Sequence, residues 1–216
     1  MVFYYRHNFV DNFKVLFMIL GLTGAFGGGK STVLEYFKKQ SWHTFDADRA
    51  CHDLYDSGAE ELLAKVRELF GEQAVTAENR IDRSVIAQSA FANPEKMKAL
   101  TAMLYPLMEK QMQSEIDLCR KDGIHGIFEV PLLFESHYEH FFDAVLTLWT
   151  DPELRKIRLR NRNYTQEEMK KRDSRQLDPA LKLEYADFAV INNGSLEMLH
   201  LQLNELVRQI ENKDLK

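Results

Sequence analysis

The 216-residue chain is 45% apolar and 28% charged, with 10 Gly and 5 Pro, proportions that exclude fibrous and wholly disordered classes and suffice for one core-bearing domain. With 28 Lys and Arg against 33 Asp and Glu the net charge is −5, so no overall cationic field exists to hold a polyanion, and nucleic acid is not an expected partner. Cys51 and Cys119 form neither a C-x-x-C pair nor a disulfide framework, which points to a reducing, cytoplasmic setting; no apolar run approaches the roughly 18 residues of a membrane-spanning helix, so no membrane partner is expected.

The chain opens with MVFYYRHNFVDNFK, whose aromatics are broken by Arg6, His7, Asp11 and Lys14 in an order unlike a signal peptide. Met18 stands directly before ILGLTG, so residues 1–17 read as an N-terminal extension of a single domain over 18–216, or as an extra helix or strand packed on it. Apolar runs of strand length follow at Val15–Leu22, Trp42–Phe45, Gly126–Val130, Ala144–Trp149 and Phe188–Ile191, with helical patterning between them. Such alternation predicts an α/β fold with a five-stranded parallel sheet flanked by helices. Helix starts are predicted at a Ser57-x-x-Glu60 capping box, at Asn93-Pro94 and at Ser195. The first opens a stripe of Leu62, Leu63, Val66, Leu69 and Phe70; the last leads Leu196, Leu199, Leu203, Leu206 and Ile210. Met97, Met103, Met108 and Met112 read as core filling rather than a ligand surface.

Five of the ten glycines fall between Gly21 and Gly29, after the first predicted strand and before a helical pattern. Within this stretch Gly24-Ala25-Phe26-Gly27-Gly28-Gly29-Lys30-Ser31 satisfies G-x-x-x-x-G-K-[ST], a match that chance supplies in about one chain of this length in a hundred. The chemistry explains the residue types. Gly24, Gly27, Gly28 and Gly29 let consecutive amides turn inward on phosphate oxygens, and the helix N-terminus adds its partial positive charge. Lys30 then reaches the β- and γ-phosphates of ATP, the Ser31 hydroxyl is placed to ligate Mg²⁺, and Thr32 follows on the α-phosphate side.

A phosphate loop does not name the acceptor. Asp46 and Asp48 follow the second strand, where ligands of open parallel sheets bind, and a carboxylate there can accept the proton of an attacking hydroxyl. Asp48 is the candidate base, its alternative being a helix cap; Glu129, ending the third strand, is a candidate to hold the metal's waters. Asp151 to Lys182 carries ten basic residues against six acids. Such a run is often a solvated face, but Thr165-x-x-Glu168 divides it into two helices, and an arginine-rich helical pair beside a phosphate loop reads as a lid that supplies charge to a migrating phosphoryl group. His137-x-x-His140 has no cysteine near it and reads as surface histidines.

These residues together resemble the dephospho-CoA kinase family. GLTGAFGGGKST is similar to its phosphate loop, FDADRACHDLY to its acidic motif and NRIDRSVIAQSAF to the segment before its substrate helices; YPLM, VPLLFE, the arginine-rich lid and ADFAVINNGS follow in the family's order. The resemblance implies a nucleoside-monophosphate-kinase-like three-layer core, with a helical acceptor region near residues 53–115 and a lid near 155–178. It implies ATP with Mg²⁺ as phosphoryl donor, dephospho-CoA as acceptor, and a monomer or small homo-oligomer. Asp48 takes the base position, Arg158 and Arg162 fall where lid arginines are expected, and Arg83 and Glu135 lie toward the acceptor. The chain departs from the family at Ala25-Phe26, where Gly-Ile is common, at Tyr105, where a His is common, and near Lys182, where an Arg is. Another small-metabolite kinase and a nucleotide-dependent switch are the competing readings; the guanine signature N-K-x-D is absent.

Overall fold

The computed structural model describes residues 3–4 and 17–213, which form two compact units, Met1–Asp46 with Ile116–Lys216 and Ala47–Glu115. In chain order the elements are β1 (Phe3–Tyr4), β2 (Ile19–Gly24), α1 (Lys30–Lys39), β3 (His43–Asp46), α2 (Ala47–Asp56), α3 (Glu60–Phe70), α4 (Arg83–Ala92) and α5 (Pro94–Asp122). They continue with β4 (Gly126–Glu129), β5 (Ala144–Trp149), α6 (Pro152–Arg160), α7 (Gln166–Asp173), α8 (Pro179–Tyr185), β6 (Phe188–Ile191) and α9 (Leu196–Lys213).

In the first unit the strands lie in the order β1-β6-β5-β2-β4-β3. The five predicted strands all form and run parallel, and the two-residue β1 adds an antiparallel edge to β6. β2 begins at Ile19 rather than Val15; Val15 and Leu16 lie outside the described residues. All six residues of β2 are buried, as a central parallel strand requires when helices cover both faces. Because β2 pairs with β4 on one side and β5 on the other, the chain leaves its carboxyl end at the topological switch point, where a doubly wound sheet opens its crevice.

One face of the sheet is covered by α1, through Val33, Leu34 and Phe37, and by α9, through Leu199, Leu203, Leu206 and Ile210, all in one buried cluster with Leu20, Leu22, Leu146 and Val190. The α9 stripe starts one turn later than the pattern suggests: Leu196 is the first helical residue and is 55% exposed. The Met198 amide donates to Ser195 Oγ at 3.2 Å, the predicted cap. On the opposite face Leu133 and Phe142 press so closely on Gly21 that any side chain there would collide with both.

The second unit has its own core, in which Leu62, Leu63, Val66 and Phe70 of α3 pack with Ile81, Ile86, Leu100 and Leu104. Its start signals resolve differently from one another. Asn93 Oδ1 accepts from the Glu95 and Lys96 amides at 3.1 and 3.4 Å, as its place before Pro94 predicts. The Ser57 box does not form. Ala59 is the N-cap of α3, while Ser57 Oγ donates to Leu54 O at 2.8 Å, because the end of α2 leaves a carbonyl to satisfy within reach of the hydroxyl. Met108 and Met112 are buried, and the side chain of Met97 lies outside the described residues.

Leu203 is fully buried between α9 and the sheet. Leu203→Ala should lower the unfolding free energy by about 2–5 kcal/mol, read from urea melts of the two proteins; an unchanged midpoint would contradict the assigned core.

Candidate active site

The phosphate loop leaves β2 at Gly24, whose φ of 145° carries it past β5 so tightly that a Cβ would meet the Leu148 carbonyl oxygen at 2.5 Å. Gly27 and Gly29 also have left-handed φ, 76° and 102°, which non-glycine residues rarely adopt. Gly29 is the N-cap of α1 and offers no side-chain cap, while its carbonyl accepts from the Thr32 and Val33 amides at 3.0 and 3.4 Å. Two buried side chains hold the Gly28 carbonyl from behind: Thr150 Oγ1, just after β5, donates at 2.9 Å and Asn192 Nδ2, just after β6, at 2.8 Å. Within the loop the Gly28 amide donates to Ala25 O at 3.1 Å, so the turn is closed on itself at the start of α1, where the partial positive charge of a helix N-terminus favours an anion.

Lys30 is 7% exposed. Its ammonium donates to Gly24 O at 3.2 Å and Ala25 O at 3.3 Å and lies 3.7 Å from Glu129 Oε1, at the carboxyl end of β4. Asp46 is in register with Glu129 and ends β3, so the carboxyl ends of β3 and β4 bring two acidic residues level with each other. The chain turns helical at Ala47, directly after Asp46. Asp48 is the second residue of α2, inside the first turn rather than at its cap. Ser31 is exposed on the first turn of α1, and Thr32 is half-buried beside it.

A second buried lysine lies under the loop. Lys182, on α8, is 1% exposed and donates to Pro131 O at 2.8 Å and Thr23 Oγ1 at 3.3 Å, and it pairs with Glu135 Oε1 at 2.9 Å. Burial pulls its pKa below the usual lysine value, against the raising effect of Glu135 and with the further lowering effect of Lys30. Glu135 also accepts from the Leu177 amide at 2.7 Å and lines a cavity of 810 Å³ with Phe134, His137 and Tyr185, over the amino end of β5 and away from Gly24.

The basic run folds as α6 and α7, with its last member, Lys182, on a third helix, α8, and the Thr165–Glu168 capping box forms in both directions. Its arginines have different employments. Arg155 is buried, makes a two-pronged pair with Asp173 at 2.6 and 2.9 Å, and donates to Phe26 O at 3.1 Å. Arg158 reaches Asn192 Oδ1 at 3.5 Å, while Arg162 is exposed in the turn after α6. Arg83, in the second unit, donates to Asp56 at 2.8 Å and His52 O at 3.0 Å. The structure thus gathers Lys30, Ser31, Thr32, Glu129 and Arg158 about one loop. The sequence reading missed the supports Thr150, Asn192, Arg155 and Gln176; a polar residue directly after an apolar strand, as at Thr150 and Asn192, was the available signal.

A parallel sheet with a glycine cradle, a buried lysine and a helix start at its switch point defines a P-loop phosphotransferase. Within that class the dephospho-CoA kinase family model matches residues 18–198. A dephospho-CoA kinase of Streptococcus pyogenes is 30% identical over 90% of this chain and 99% of its own, and one of Enterococcus faecalis is 34% identical over 88% and 96%. The solved dephospho-CoA kinase from Campylobacter jejuni superposes with a TM-score of 0.72 at 26% identity, over 91% of this chain and 98% of that one. The chain belongs to the dephospho-CoA kinase family.

Lys182 has a measurable signature. The unfolded amine titrates near 10.5 and the folded one lower, so between the two values the unfolded chain binds more protons and stability rises with pH. The difference in urea midpoint between wild type and Lys182→Met should therefore move in favour of wild type as pH rises through that window. A difference that stays constant would contradict the buried ammonium.

Proposed function

We propose that this chain transfers the γ-phosphoryl group of ATP to the ribose 3′-hydroxyl of dephospho-CoA, yielding coenzyme A and ADP in the cytoplasm. The observation that carries the reading is the buried Lys30 folded over a glycine cradle at the carboxyl end of β2, in a chain of this family.

In this reading amides of the loop between Gly24 and Ser31, other than those of Phe26 and Gly28, bind the triphosphate, and Lys30 exchanges its carbonyl partners for β- and γ-phosphate oxygens. Asp48 accepts the proton of the 3′-hydroxyl; the freed oxygen bonds to the γ-phosphorus, and the bond from that phosphorus to the β–γ bridging oxygen breaks, leaving ADP. Arg158 and Arg162 come from the lid to the charge spread over the transferring group. Arg83 and Glu135 serve the acceptor side, Glu135 already fixed by Lys182 and the Leu177 amide.

Among the described residues no group of three or more His, Cys, Asp and Glu lies together to hold a metal, whereas the Ser31 hydroxyl is exposed at the loop. That donor set fits Mg²⁺ arriving with the nucleotide, held by phosphate oxygens, Ser31 and water, with Glu129 placed to hold one of those waters. When bound, the ion neutralises charge on the β- and γ-phosphates.

ADP production from Mg·ATP should rise strongly with dephospho-CoA and little with AMP, CMP or shikimate. Stimulation by one of the latter instead would assign a different acceptor, and equal hydrolysis with every acceptor would point to a switch ATPase. Asp48→Asn should lower turnover by about 10²–10⁴-fold with ATP binding by calorimetry retained. Near-normal turnover would remove the base from Asp48.

A further inference from the structure

The middle of the phosphate loop is occupied by an aromatic residue that the phosphate-binding reading does not use. Phe26 is half-buried, and each of its three interacting groups meets the segment from α6 to the residues just beyond α7. Its amide donates to Gln176 Oε1 at 3.0 Å, its carbonyl accepts from Arg155 Nη1 at 3.1 Å, and its ring lies 4.3 Å beneath the Arg172 guanidinium. The Tyr164 ring meets the Phe26 ring edge-on at 5.1 Å and is itself 5.7 Å from Arg172, so the cation stacked on Phe26 and the two rings form one cluster.

Both helices and the segment after them are engaged by one residue. Arg155 belongs to α6 and grips Asp173 of α7, so the two helices are fastened together before either touches the loop. Gln176 completes the chain on the far side, its Nε2 donating to Pro131 O at 3.1 Å. The backbone bonds of Phe26 would survive a change of side chain; the stack would not. The side chain therefore governs one separable share of the docking, and an aliphatic residue of similar volume cannot replace the attraction of a ring face for a guanidinium.

We propose that Phe26 is a positioning residue that latches the lid helices α6 and α7 to the phosphate loop by stacking with Arg172 and Tyr164, so that the lid arginines are set before nucleotide enters. The lid then rests in its docked arrangement in the ligand-free protein, and ATP does not spend binding energy to bring it there. A protein whose binding-competent arrangement is less populated binds its ligand more weakly by that fraction.

The test compares Phe26→Leu, Arg172→Leu, the double variant and Phe26→Tyr. In ligand-free protein, amide hydrogen exchange across residues 152–173 should quicken roughly 3–10-fold in Phe26→Leu and Arg172→Leu, the range a partly exposed cation–ring contact supplies. The double variant should be faster than either single one but by clearly less than the product of their effects, since the Phe26–Arg172 contact is common to both, and Phe26→Tyr should retain the protection. With substrates, the loss in Phe26→Leu should fall on KM for ATP more than on kcat. Unchanged exchange in Phe26→Leu, or fully independent effects in the double variant, would overturn the latch. The inference rests on the phosphate-loop kinase reading for its consequence, but the exchange measurement needs no phosphoryl transfer, so the latch and the assigned reaction fail separately.

Discussion

A glycine-rich turn held in one path at the carboxyl edge of the sheet is the constraint from which the rest of this structure follows. Left alone, a glycine-rich segment spreads over many conformations, and ordering it costs about 1–2 kcal/mol per residue. Here the order is imposed by neighbours. The Leu148 carbonyl permits no side chain at Gly24, and the hydroxyl of Thr150 and the amide of Asn192 converge on the Gly28 carbonyl. All of these belong to strands β5 and β6 or to the residue just after them. The parallel sheet is thus more than a platform: its carboxyl edge holds the Gly28 carbonyl and fixes the path of the loop.

Positive charge is placed with the same economy. Two lysines are buried near one another in an acidic protein, and each has a carboxylate as well as backbone carbonyls, Lys30 with Glu129 and Lys182 with Glu135. A buried ammonium is tolerable only when its donors are occupied. The two pairs differ in what their acceptors are for. Lys30 is held by carbonyls of the loop itself, contacts that a phosphate can replace, while Lys182 bonds Thr23, Pro131 and Glu135 and ties the ends of β2 and β4 to α8. One lysine is therefore available to a ligand and the other is committed to the fold.

The arginine-rich helices show how little a charge count says about individual side chains. By charge alone the ten basic residues of the run had equal claim to a phosphate, and only the family resemblance singled out Arg158 and Arg162. In the fold Arg155 is a buried strut and Arg172 covers an aromatic ring, whereas Arg162 is exposed. Their separation arises from helical phase: Arg155 and Leu159 are four residues apart and share the inward face of α6, where Leu159 fills the space that a side chain at Gly27 would need.

Local chemistry was legible without coordinates because its information lies within a few residues. The five parallel strands could be read from short apolar runs, the α9 and α3 stripes from helical spacing, the Thr165 box and the Asn93-Pro94 start from adjacent residue types, and the loop from glycine spacing before Lys30. The Ser57 box failed for the same local reason: its hydroxyl had two backbone partners in reach, and only the finished chain path chose Leu54 over α3. Contacts between distant segments were not legible at all. Thr150 and Asn192 reach Gly28 across 122 and 164 residues, Lys182 reaches Thr23 across 159 and Gln176 reaches Phe26 across 150. The sequence by itself determined which segments become strands and helices and where phosphate chemistry sits, since periodicity and turn geometry are short-range. Tertiary structure alone decided which polar side chains hold that site in shape, since strand order brings together residues that nothing in the linear chain connects.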